Sequence, residues 1–166
     1  MDSDRLFKLS PSSFSFLYEG CKRCFYLNVV HGISQPSIPL PGIFSTIASL
    51  LKTHYDGKNT KELHPDLPEG VVSHGEKYVK SKIINFPNHK SRCFISGRFD
   101  IVTSFEDGSY GVIDFKTGNP NKDHDVLYGR QLRAYSYALE NSADGALGLT
   151  PISKLGLLYF PSVRTK

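Results

Sequence analysis

The chain has 166 residues, 39% hydrophobic and 12% aromatic, enough for one globular domain with a core and too much for an intrinsically disordered chain. No apolar run approaches the length of a bilayer span and "MDSDRLFKLSPSS" holds no signal-peptide apolar region, which predicts a soluble, cytoplasmic protein with no membrane partner. The net charge of +4 is modest, and three cysteines, an odd number, exclude a disulfide framework.

In chain order, Ser10 and Pro11 form a helix-start signal, an N-cap followed by proline at the first helical position. Leu17, Cys21, Cys24, Phe25 and Leu27 then recur near helical spacing with a break at Gly20, which predicts one or two helices. Three prolines make "ISQPSIPLP" (33–41) a loop. Over 42–55, Phe44, Ile47, Leu50, Leu51 and Tyr55 have the amphipathic period of a core helix, and turn-rich residues follow. The segment "HGEKYVKSKIINFPNHKSR" (74–92) holds Lys77, Lys80, Lys82, Lys90 and Arg92 against Glu76 alone, an excess equal to that of the whole chain. Such a strip suits a phosphate backbone, and equally the solvated face of a helix.

From about Ile83 the period changes. "CFISGRFDIVTSF" and "YGVIDFKT" are rich in β-branched and aromatic residues, with the turn signal "EDGS" between them. Residues 125–142 predict a helix despite Gly129, capped by Asp125, with Leu132, Ala138 and Leu139 inward, and "KLGLLYFPS" a final strand. One α/β domain over 1–166 is expected, helical to about residue 82 and sheet-forming from about 83.

Within "VIDFKTG", Asp114 and Lys116 share a face of an apolar strand, because residues two apart in a strand point the same way. Whether Asp114 meets Asp100 on the other arm depends on the turn. A two-residue type I′ turn at Asp107 and Gly108 would set Asp100 opposite Phe115. A three-residue turn with Gly108 in the left-handed bulge position sets Asp100 opposite Asp114 and Arg98 opposite Lys116. Gly108 is compatible with both. In the second register the carboxylates have Cβ atoms roughly 4.5 to 5.5 Å apart and call for a cation between them. Asp oxygens are hard ligands that suit Mg²⁺ or Mn²⁺, and Lys116 could orient a metal-bound water or offset charge on a scissile phosphate. On the next helix, Gln131 and Tyr135 share a face with polar tips able to reach a substrate.

The ordered set "SGRFDIV", "VIDFKTG" and "RQLRAY" resembles the G-x-x-D, D-x-K-T-G and Q-x-x-x-Y motifs of the RecB-like branch of the PD-(D/E)XK nuclease superfamily, and "LSPSSFSFLYEGCKRCFYL" is similar to the helix that opens such domains. The resemblance spans about Ser10 to Phe160. It implies a restriction-endonuclease-like α/β core, a mixed central sheet flanked by helices with an N-terminal helical segment. It also implies a Mg²⁺- or Mn²⁺-dependent nuclease acting on DNA ahead of RNA, in repair, recombination or defence, alongside a helicase or other repair protein. Asp100 and Asp114 would then be metal ligands, the Phe115 carbonyl a further one, and Lys116 the catalytic lysine. Gln131 and Tyr135 would support substrate, and Lys77, Lys80 and Lys82 of the basic strip are the expected contacts to its phosphates.

Two departures follow. Relatives place a ligand histidine on the preceding helix four residues after a small residue, where Ser45 and Ser49 stand in this chain. His54 at the helix end, or His74 or Glu76 in a next helical stretch, could replace it. Relatives with an iron-sulfur cluster supply four cysteines, one early and three late, whereas Cys21, Cys24 and Cys93 are all that is present; no cluster is expected. C-x2-C without a second matched pair is a weak zinc signal, so buried apolar thiols are expected.

Overall fold

The computed structural model describes residues 5–36, 42–120 and 122–160, leaving out the side chains of Phe44 and 122–125. The elements in chain order are β1 (Leu6–Leu9), α1 (Pro11–Ser13, continuing as a π-helical turn over Phe14–Tyr18), α2 (Lys22–His31), α3 (Gly42–Tyr55) and α4 (Thr60–Leu63). There follow β2 (Gly70–His74), β3 (Tyr78–Lys80), β4 (Ile84–Asn85), β5 (Arg92–Arg98), β6 (Ile101–Phe105), β7 (Tyr110–Thr117), α5 (Lys122–Glu140) and β8 (Ile152–Phe160).

Local chemistry sets the first boundaries as the sequence predicts. Ser10 Oγ accepts from the Ser13 N–H at 3.2 Å with Pro11 just inside the helix. Cys21 caps α2, its sulfur 3.2 Å from the Cys24 N–H. Cys21 and Cys24 are joined as a disulfide and only Cys93 is a buried free thiol, which corrects the expectation of buried thiols at all three positions. The expected core role of Phe44, the capping side chain of Asp125 and the stretch 37–41 of the proline-rich loop lie outside what is described. The last helix itself begins at Lys122, ahead of Asp125.

The described strands form two mixed sheets flanked by helices, in keeping with the mixed α/β core expected. In the first, β5 lies between parallel β1 and antiparallel β3, with β4 continuing along the β3 side. In the second the order is β2-β6-β7-β8, antiparallel except for the parallel pair β7 and β8, which α5 connects. The helical-then-sheet division at residue 82 is also corrected, because β1, β2 and β3 precede it. The basic strip is not helical. Tyr78, Val79 and Lys80 alternate exposed, buried, exposed along β3, the period of a half-buried strand. Ser81 is then pulled inward, its N–H bonded to the Ile95 carbonyl at 2.8 Å and its hydroxyl accepting from the Ile95 N–H at 2.9 Å.

Alternation in β6 and β7 sends side chains to two cores. Val102 and Val112 join Phe99, Ile95, Leu132 and Leu139 beneath α5, and Ile101 and Ile113 join Val72 and Leu63 on the other face. Full burial of each large side chain contributes roughly 1.5–3 kcal/mol. Because both faces of β7 are covered, its register is fixed: a one-residue slip would exchange the two sets. That fixity is what places Asp114.

Candidate active site

Gly108 decides the geometry. It sits at φ +83°, its N–H bonds to the Phe105 carbonyl at 3.0 Å, and the Phe105 N–H bonds to the Ser109 carbonyl at 2.8 Å. This is the three-residue bulged turn, stiffened by Asp107 Oδ1, which accepts from the Ser109 N–H at 2.9 Å. The register is Ser104 with Tyr110, Val102 with Val112 and Ile101 with Ile113, so the next pair is Asp100 with Asp114. There the ladder stops. The chain turns out of β5 at Phe99 and Asp100 before entering β6, and among the described residues no strand pairs with the edge of β7 beyond Ile113 on that side. Asp100 Oδ2 takes the Phe115 N–H at 2.9 Å, a bond that the Phe99 carbonyl would have made in a continued ladder.

Asp114 is 5% exposed. Burial, reinforced by the neighbouring Asp100 carboxylate, pushes its pKa up to about 6 against the pull of Lys116. Lys116 pairs with Asp114 Oδ2, and the Gln131 Nε2 group lies 3.4 Å from Asp114 Oδ1. The Lys116 ammonium also lies 4.0 Å from the centre of the Tyr128 ring. Asp100 is held from the helix side: Lys52 of α3 places its ammonium 2.7 Å from Asp100 Oδ1 and 3.1 Å from Glu76 Oε1, and Arg98 Nε donates to the same Glu76 oxygen at 2.8 Å. Burial works against the Lys52 charge, but its bonds to Asp100 and Glu76 outweigh this and hold its pKa above the usual lysine value. Three acids and three bases thus form one cluster, Lys116, Asp114, Asp100, Lys52, Glu76 and Arg98.

Sequence reasoning missed Lys52, and it placed Arg98 opposite Lys116. Arg98 instead ends β5 in the other sheet, paired with Tyr78. A signal for Lys52 was present in the spacing of Ala48, Leu51, Lys52 and Tyr55, which puts a lysine on the inward stripe of α3.

Gln131 and Tyr135 do lie on one face of α5, but both are buried, and neither tip is presented to solvent as a substrate contact would be. The Tyr135 hydroxyl donates to the Arg98 carbonyl at 2.7 Å, and burial pushes its pKa up to about 12. Tyr135 therefore braces the strand end that leads into Asp100, and Gln131 braces Asp114. Gly97 belongs to the same brace: a Cβ there would lie 2.6 Å from Pro11 Cδ and 3.4 Å from Tyr135 Cε1, so only glycine lets α1 and α5 close on β5.

Of the three candidate further ligands, His54 packs edge-on against Tyr55 at 4.9 Å between ring centres. His74 ends β2, not a helix, with Nδ1 2.9 Å from Ser73 Oγ; burial and Lys77 lower its pKa. Glu76, in the turn between β2 and β3, is the one brought to the cluster, through Lys52 and Arg98. Among the described residues no group of three His, Cys, Asp or Glu converges on one point. The donor set still fits a hard divalent ion, since Mg²⁺ is commonly held by one or two carboxylates with waters completing its shell. Asp100 and Asp114 are such a pair, and the buried Gln131 Oε1 beside them has no hydrogen-bond partner among the described residues. Lys77, Lys80 and Lys82 are exposed on β3 and its flanks, with the Lys80 ammonium 5.2 Å from the centre of the Phe94 ring. No helix is long and apolar enough to cross a membrane among the described residues.

Two mixed sheets flanked by helices, with an aspartate pair and a lysine at an open strand edge, define the architecture of a restriction-endonuclease-like α/β core. Comparison with known families matches residues 62–164 to the PD-(D/E)XK nuclease superfamily, and the chain belongs to that superfamily. No curated protein matches the chain.

Proposed function

We propose that the chain is a metal-dependent nuclease of the RecB-like branch, hydrolysing phosphodiester bonds of DNA ahead of RNA. The observation that carries this is the buried Asp114 carboxylate, set by register against Asp100 with Lys116 on its own face. Asp100, Asp114 and the Phe115 carbonyl would hold Mg²⁺ or Mn²⁺, which when bound supplies charge neutralisation at phosphate and an acidified water. Lys116 offsets charge on the scissile phosphate, and Lys52 holds Asp100 in place. Lys77, Lys80 and Lys82 meet the phosphate backbone from the strand side. The motif resemblance supports a setting in repair, recombination or defence beside a helicase.

Cleavage of labelled DNA and RNA oligonucleotides with Mn²⁺ tests the reading. Asp114→Ala and Lys116→Ala should each lose at least about a hundredfold in rate, the scale of a positioned charge in a transition state; undiminished cleavage by both variants would refute it. One observation favours a second reading, a nucleic-acid-binding module without activity: Lys52 supplies its own cation to Asp100 at 2.7 Å. That reading requires calorimetry to find no Mn²⁺ binding at all, and salt-dependent nucleic-acid binding to persist.

A further inference from the structure

Beside Lys116 lies a cavity of about 330 Å³, at the small end of the range for specific ligand sites. It follows the open edge of β7 and is walled by Phe16, Tyr128, Phe115, Phe160, Leu51 and Lys116. Four of these are aromatic and one is a cation, and among the described residues no carboxylate lines it. Phe16 stands on the π-helical turn and is 54% exposed, with its ring edge-on to Tyr128 at 5.8 Å between centres. The Lys116 ammonium in the wall lies over the Tyr128 ring and pairs with Asp114, which ties the cavity to the carboxylate pair through one ion pair.

We infer that this cavity is a nucleobase subsite, taking one unstacked base of a single-stranded nucleic acid against Phe16 and Tyr128 while the adjoining phosphate meets Lys116. Aromatic faces accept any base, and stacking is worth roughly 1–3 kcal/mol per base. A base inside a duplex would first have to leave its stack at a cost of a few kcal/mol, so the subsite selects single strands or frayed ends. This specificity rests on the nuclease reading for its purpose, but its binding chemistry can be measured separately.

The test is fluorescence-anisotropy titration of the full chain in EDTA with an oligothymidylate, an oligouridylate and an abasic oligomer of equal length and charge. The wild type should bind the base-bearing strands about five- to a hundredfold more tightly than the abasic one. Phe16→Ala should remove most of that ratio with little change for the abasic oligomer, and Phe16→Trp should keep it. The two base-bearing arms show whether DNA, RNA or both enter. A ratio near one, a ratio that Phe16→Ala leaves intact, or no binding of any strand overturns the subsite. Parallel Mn²⁺ assays separate the two proposals. A ratio that depends on Phe16, with no cleavage, sinks the nuclease reading and leaves the subsite standing. Asp114-dependent cleavage without any base preference does the reverse.

Discussion

Asp114 carries an electrostatic cost that its position imposes. Its folded pKa, about 6, lies above the ordinary 3.8, so the fold favours the protonated carboxyl. Below about pH 3.8 folded and unfolded chains are both protonated and there is no penalty. Between these values the penalty grows, and above pH 6 it is complete, roughly 2–3 kcal/mol from the size of the shift. In EDTA, Asp114→Asn should therefore melt higher than wild type at neutral pH, and the gain should shrink to nothing as pH falls below about 4. Thermal melts across that pH range check the sign. Adding Mg²⁺ at neutral pH should raise the wild-type melting temperature and leave the Asn variant unmoved, because an ion bound only by the folded state stabilises it. Tyr135 is the contrasting case, a residue that braces. Tyr135→Phe leaves the Arg98 carbonyl without its 2.7 Å donor, which should cost about 1–3 kcal/mol by denaturant unfolding.

The elements meet where β5 hands over to β6. Gly97 lets Pro11 and Tyr135 close on the strand, and two residues on, the chain leaves one sheet for the other with Phe99 fully buried at the corner. Gly97→Ala should overpack this junction against a proline ring that cannot swing aside, lowering stability by about 1–3 kcal/mol in denaturant unfolding. Here too lies the limit of what the sequence made legible. The hairpin was readable down to two registers because turn chemistry and two-residue alternation are local; choosing between them needed the φ of Gly108. "CFISGRFDIVTSF" read as one strand because nothing local marks the corner: Phe99 and Asp100 are ordinary strand neighbours until two sheets compete for them. The stretch that holds His74 and Glu76 was read as helical because its lysines masked a short strand pattern, and three-residue β3 is stabilised by its pairing with β5 rather than by propensity. Lys52 was overlooked because an inward lysine becomes intelligible only when the acids it serves, Asp100 and Glu76, arrive from distant parts of the chain.

For the whole molecule, charge distribution bears on binding more than net charge does. The cluster around Asp114 balances three acids with three bases, so the pull on a polyanion must come from elsewhere. Lys77, Lys80 and Lys82 are exposed along the edge that leads to Arg98 and the cluster, and Lys80 lies over Phe94. If each neutralises one phosphate, each releases about 0.7 counterions from a single strand or 0.9 from a duplex. Replacing all three with glutamine should then flatten the plot of log binding constant against log salt by about 2 on single strands and about 3 on duplex, measured by anisotropy in EDTA. Melting temperature should hardly move, because exposed lysines contribute little to the fold. The loss should be the same on base-bearing and abasic strands, since phosphate contacts carry no base information. A slope that stays unchanged while affinity falls would mean that the lysines act through local structure, not through counterion release. A slope that flattens equally for both strands, with the Phe16-dependent ratio intact, would separate the two contributions within one molecule: β3 supplies the charge that captures the strand, and the cavity beside Lys116 supplies the stacking that positions one base of it.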